Sequence, residues 1–74
     1  MTLGDEVLRV MFWVREEGFA SAVSVEELER FLGHEHDMAE VLRSMTHQGF
    51  TSPQGPAYRL TETGAKRAAA FFGL

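Results

Sequence analysis

Apolar residues recur along this chain at two periods, and the change from one to the other marks out its elements. Val7, Leu8, Val10, Met11 and Val14 fall on one arc at helical spacing, with Phe12 at its edge. Trp13 lies off that arc, among Glu6, Arg9 and Glu17, so the apolar surface is wider than one core contact requires. Thr2 followed by Asp5 reads as a cap, and Gly18 closes the helix after about Glu17. Phe19 to Val23 reads as a short edge strand. Ser24 and Glu27 form a capping box with Val23 and Leu28 as its hydrophobic staple. The short helix that follows turns Val25, Leu28, Phe31 and Leu32 inward and stops at Gly33. A third helix starts between Glu35 and Asp37 and runs to about Gln48, with Met38, Val41, Leu42 and Met45 inward.

After Gly49 the period shortens. Tyr58 and Leu60 alternate with Arg59, the pattern of a half-buried strand with one outward cation. Phe50-Thr51-Ser52 pairs with it through Pro53-Gln54-Gly55-Pro56, with Pro53 expected at the second position of a turn and Gly55 at the fourth. Thr61 then offers its oxygen to the free N–H groups of a last helix, from Glu62 to about Phe72. The stripe of that helix is Ala65, Ala68, Ala69 and Phe72, small enough to let it approach the first helix closely, while Phe71 and Leu74 lie off it. The expected fold is α+β: one domain over residues 1–74, with three to four helices and a small antiparallel β-hairpin, a wing, between two of them.

Three groups of residues carry a resemblance. They are Val25-Glu26-Glu27-Leu28 with Phe31-Leu32-Gly33, Val41-Leu42 with Met45 and Gly49-Phe50, and Tyr58-Arg59-Leu60-Thr61 with Gly64. In order and spacing the chain resembles winged helix-turn-helix DNA-binding domains, particularly small transcriptional regulators of the MarR and ArsR type. The resemblance implies that the third helix enters the major groove of double-stranded DNA, with the wing against the backbone. On that basis Arg43 contacts a base or phosphate, with His36, Glu40 and His47 beside it in one line, and Gln54 and Arg59 touch backbone from the wing.

Charge alters this picture. Eleven acids against seven cations give a formal net charge of −4, against the basic balance usual for a nucleic-acid binder. The third helix carries Glu35, Asp37 and Glu40 against Arg43, and the wing tip Ser52-Pro53-Gln54-Gly55-Pro56 has no charge. Glu35 and Asp37 are explained by the helix dipole, and Glu40 is suited to accept from cytosine N4. The alternative expectation is therefore a winged-helix protein-interaction adaptor that does not bind DNA. Phe12, Trp13, Phe71 and Leu74 would meet the partner, or a second copy in a homodimer through the first and last helices.

The remaining classes are readily weighed. The chain has 74 residues and no cysteine, which excludes disulfides and thiolate metal sites and implies burial of about two-thirds of its unfolded surface. No apolar run approaches the roughly 18 residues of a membrane span, and acids precede the first apolar stretch, so a cytoplasmic protein is expected. His36 and Glu40 stand one turn apart, but His47 lies about 16 Å further along a helix, so no metal site is expected. Nothing resembles a nucleophile–base pair or a phosphate-binding loop; neither catalysis nor a cofactor is expected.

Overall fold

Each of the four helices among the described residues, 2–73 of a computed structural model, opens on a side-chain cap. Helix α1 (Leu3–Glu16) and helix α2 (Val25–Leu32) start with reciprocal capping boxes, Thr2 with Asp5 and Ser24 with Glu27. In α3 (Met38–His47) the Asp37 carboxylate accepts from the Glu40 N–H at 3.2 Å. In α4 (Glu62–Ala70) the Thr61 hydroxyl accepts from the Gly64 N–H at 3.0 Å. Three short strands, β1 (Val23–Ser24), β2 (Thr51–Gln54) and β3 (Ala57–Leu60), form an antiparallel sheet in the order β1-β3-β2. The architecture is α+β and winged-helix-like, with the hairpin set between α3 and α4.

The core sits where the helices meet. Leu8 and Val7 of α1, Leu28 of α2, and Met38 and Leu42 of α3 are its fully buried centre. Leu60 closes it from the sheet, and Ala68 lets α4 lie close on α1. Asp5 also ties these two helices. Beyond its capping role, its Oδ1 accepts from Arg67 of α4 at 3.1 and 3.3 Å.

Several expectations are corrected. The first strand is two residues long, because the chain bends through Phe19–Ala22 and Ser24 is taken up as the cap of α2. Phe31 points out, not in. Val25, Leu28 and Leu32 set the inward direction of α2, and Phe31 falls about 60° beyond Leu28 on the other side, where it meets the Trp13 ring. The hairpin turn is shorter than the sequence suggests. The strands pair out to Gln54 and Ala57, which leaves Gly55-Pro56 as a two-residue loop. Gly55 has φ +61, and proline cannot follow with positive φ, which fits the turn type that needs glycine at its first central position only. Pro53 thus belongs to edge strand β2. Pairs alternate between bonded and non-bonded away from the turn, so opposite Tyr58 its missing N–H removes no rung of the ladder.

The expected partner residues also sort differently. Phe12 is 7% exposed and stacks on Phe72 with ring centroids 5.4 Å apart, so it is a core residue with little surface to offer a partner. Phe71 is half-buried at the C-cap of α4. Leu74 lies outside the described residues. Trp13 is exposed, as its position off the arc suggests.

Candidate nucleic-acid interface

The sequence from Leu42 to Thr61 welds α3 to the wing. The Thr46 hydroxyl donates to the Leu42 carbonyl at 2.8 Å and meets the Thr51 hydroxyl at 2.8 Å, so the last turn of α3 is bonded to the first residue of β2. Thr51 is buried, and this contact satisfies its hydroxyl. The Phe50 N–H donates to the Met45 carbonyl at 2.9 Å. From the other side, the Thr61 hydroxyl donates to the Gly49 carbonyl at 2.6 Å and the Thr61 N–H to the Phe50 carbonyl at 3.1 Å. One threonine therefore caps α4 and pins the exit of α3.

On this frame Glu40, Arg43, His47, Gln54 and Arg59 are all exposed, the first three on α3 and the last two on the wing. His36 is exposed but stands off the helix. Asp37 takes the cap position, so the chain enters α3 only at Met38 and His36 belongs to the preceding link. Two residues the sequence reading passed over belong to the same face. Ser44 and Gln48 follow Glu40 at steps of four, and the Gln48 amide donates to the Ser44 hydroxyl at 3.2 Å. The outer surface of α3 is thus a run of hydrogen-bonding side chains: Glu40, Arg43, Ser44, His47 and Gln48. The i+4 row from Glu40 was the available signal for the missing pair.

The charges on this face are largely spoken for. Arg43 is ion-paired with Glu40 one turn earlier, with both side chains solvent-exposed. Arg59 sits opposite Ser52 on the wing. Arg67 approaches from α4, lining with Glu40, Ser44 and Gln48 a groove of about 590 Å³ that also takes in the first turn of α1. Its charge is already met by Asp5, and its guanidinium lies 5.2 Å from the Phe50 ring centroid. Burial pushes the Asp5 carboxyl up, but hydrogen bonds from the Thr2 backbone and side chain and then from Arg67 outweigh it and hold it below the ordinary value. Of the other cations, Arg15 of α1 pairs with Glu16, Lys66 of α4 pairs with Glu62, and Arg30 lies in the last turn of α2.

Elsewhere His34 lies 3.3 Å from Glu29, and no group of three His, Asp or Glu side chains among the described residues is placed to hold a metal ion. No helix among the described residues is long and apolar enough to cross a membrane. A feature away from α3 also went unread in the sequence. Trp13, Phe19 and Phe31 gather into one exposed aromatic cluster, with Phe19 centred 5.4 Å and Phe31 5.9 Å from the Trp13 ring. Three residues from three different segments form it, so no single period could have disclosed it. No family model matches the chain, and neither a curated protein nor a solved structure matches it.

Proposed function

We propose that the protein binds double-stranded DNA through α3 and the β2–β3 wing, as a small transcriptional regulator of the MarR and ArsR kind its sequence resembles. The observation that supports this reading best is the outer face of α3. It carries only hydrogen-bonding side chains beside a hairpin bonded to the helix through Thr46 and Thr51. Arg43 is suited to guanine O6 and N7, Gln48 to adenine N6 and N7, and Glu40 to cytosine N4. Arg59 and Gln54 reach backbone from the wing, which orients the helix without reading sequence. A protein so employed works in the cytoplasm, with the DNA. It binds palindromic sites as a homodimer, because two copies double a weak phosphate grip.

The test is fluorescence anisotropy of a labelled mixed-sequence duplex across a salt series. With Arg43 held by Glu40, one phosphate contact per chain, from Arg59, gives a slope of log affinity against log salt of about −0.9 per chain, and Arg59→Ala removes it. Absence of binding at protein concentrations above about 10⁻⁴ M refutes the reading. A second reading, a protein-interaction module that leaves DNA alone, draws on a different observation. The Glu40–Arg43 pair neutralises the helix face, while the exposed cluster of Trp13, Phe19 and Phe31 offers apolar surface on another side of the molecule.

A further inference from the structure

Trp13, Phe19 and Phe31 are 41, 69 and 52% exposed, an unusual concentration of aromatic surface for a chain this small. They come from α1, from the link after it, and from α2, and their rings are inclined to one another by 53° and 76°. Beside them runs a groove of about 300 Å³, at the small end of the range for ligand sites. Its inner side is the core itself, since Val14 and Val23 line it and are 5 and 2% exposed. One charged side chain borders it, Glu27.

That carboxylate is fixed in place. Its Oε1 accepts the Ser24 N–H at 3.0 Å as the return arm of the α2 capping box. The Ser24 backbone and then its hydroxyl hold the Glu27 carboxyl below the ordinary value, so it stays ionised at neutral pH. Arg30 acts on it from a distance, and no ion pair to Glu27 forms among the described residues.

We infer that this groove, between α1 and α2, binds a small hydrophobic organic cation, with the aromatic rings taking its apolar body and Glu27 its charge. Ring faces carry negative potential and attract a cation, and the only bordering charge among the described residues has the complementary sign. An anion meets repulsion from both. A second copy seated two-fold on the groove would bring another Glu27 into the same apolar space, which disfavours that occupant. The site stands apart from α3 and does not rest on the DNA-binding proposal.

Trp13 is the single tryptophan and lines the groove, so it reports occupancy directly. The probe is benzyltrimethylammonium, compared with its uncharged carbon isostere neopentylbenzene. The cation is expected to change Trp13 emission saturably below about 10 mM and to bind at least threefold more tightly than the isostere. Glu27→Gln keeps the capping box, because glutamine serves there too, and is expected to erase about threefold of the cation's affinity while leaving the isostere's unchanged. Phe31→Leu, on an exposed position, retains apolar volume but removes a ring face, and is expected to weaken the cation alone by a similar factor. Equal binding of the two probes, insensitivity to both substitutions, or no saturable change overturns the inference. So does Trp13 emission that depends on protein concentration without probe, which would show a second copy on the groove.

Discussion

Replacing Gly64 with alanine sets two effects of opposite sign against each other. Gly64 lies in the first turn of α4 and is not among the glycines with positive φ, so its backbone conformation is open to any residue. By helix propensity alone, alanine there is worth about 1 kcal/mol of stability. The space forbids it. A Cβ at Gly64 would stand 1.9 Å from the Phe50 carbonyl oxygen and 2.8 Å from its carbon, where ordinary contact begins at 3.4 Å. The neighbour is backbone and cannot rotate away, so α4 and the α3–β2 junction must part by roughly 1.5 Å. That movement breaks the bonds from the Thr61 N–H to Phe50 and from the Thr61 hydroxyl to Gly49. Each contributes about 1 kcal/mol, and overpacking strain adds about 1–3 kcal/mol. Net of propensity, Gly64→Ala is expected to destabilise by about 2–4 kcal/mol. That is a large fraction of the roughly 4–11 kcal/mol expected for a domain of this size. Urea unfolding followed by Trp13 fluorescence and far-UV circular dichroism measures it; with a slope near 1 kcal/mol per molar, the midpoint falls by about 2–4 M. A midpoint equal to or above that of the parent refutes the steric reading and leaves propensity in charge.

Three further substitutions test the other joints. Asp5→Asn removes the charged acceptor of Arg67 and is expected to lower stability at pH 7 by about 1–2 kcal/mol. Because the folded carboxyl lies below its ordinary value of 3.8, its contribution is present above that pH and lost as pH falls through the folded value. Denaturation midpoints of parent and variant should therefore converge in acid; a constant gap down to strong acid would contradict this. Thr51→Val deletes the hydroxyl that meets Thr46 and is expected to cost about 1 kcal/mol in urea titrations, with no loss if the α3–wing bond is idle. Glu40→Gln frees Arg43 from an exposed pair. Stability should change by less than about 1 kcal/mol, while on the DNA-binding proposal the salt dependence of duplex binding steepens by about 0.9; an unchanged slope would remove Arg43 from the phosphate contacts.

What could be read from the sequence was what acts over a few residues. Three of the four caps, Thr2, Ser24 and Thr61, were legible, because a cap needs only its own side chain and the N–H groups of the next turn; Asp37 fits a dipole acid equally well, which left the start of α3 open between Glu35 and Asp37. The order of helices and hairpin followed from them. Features fixed by distant partners were not legible. Asp5 and Arg67 are 62 positions apart, and nothing in the first turn of α1 discloses that its capping acid also holds α4. Phe31 fits an inward helical spacing with Leu28 as well as an outward one, and the core contacts of Val25, Leu28 and Leu32, fixed by the other helices, decide between them. The hairpin was found, but its turn was misplaced, because Pro53 suits a turn and an edge strand equally until the pairing partner is known. Gly64 was visible as a residue of the resembling motif, and its reason became visible only with Phe50 beside it.

The pair formed by Glu40 and Arg43 bears on how such a protein would choose its DNA. A helix whose arginine is already met by a glutamate has little net attraction for phosphate, so the sequence-independent part of binding is small. Swapping the pair for base contacts is favourable only where a guanine receives Arg43 and a cytosine amino group receives Glu40; elsewhere a carboxylate is left against the groove. The neutral wing acts in the same direction, since Gln54 and one cation, Arg59, add little that is blind to sequence. On the DNA-binding proposal, therefore, the acidic composition does not merely weaken binding. It lowers the non-specific background more than the specific complex, and so a genuine site should stand out from random duplex by a ratio that persists as salt rises, even though both affinities are modest.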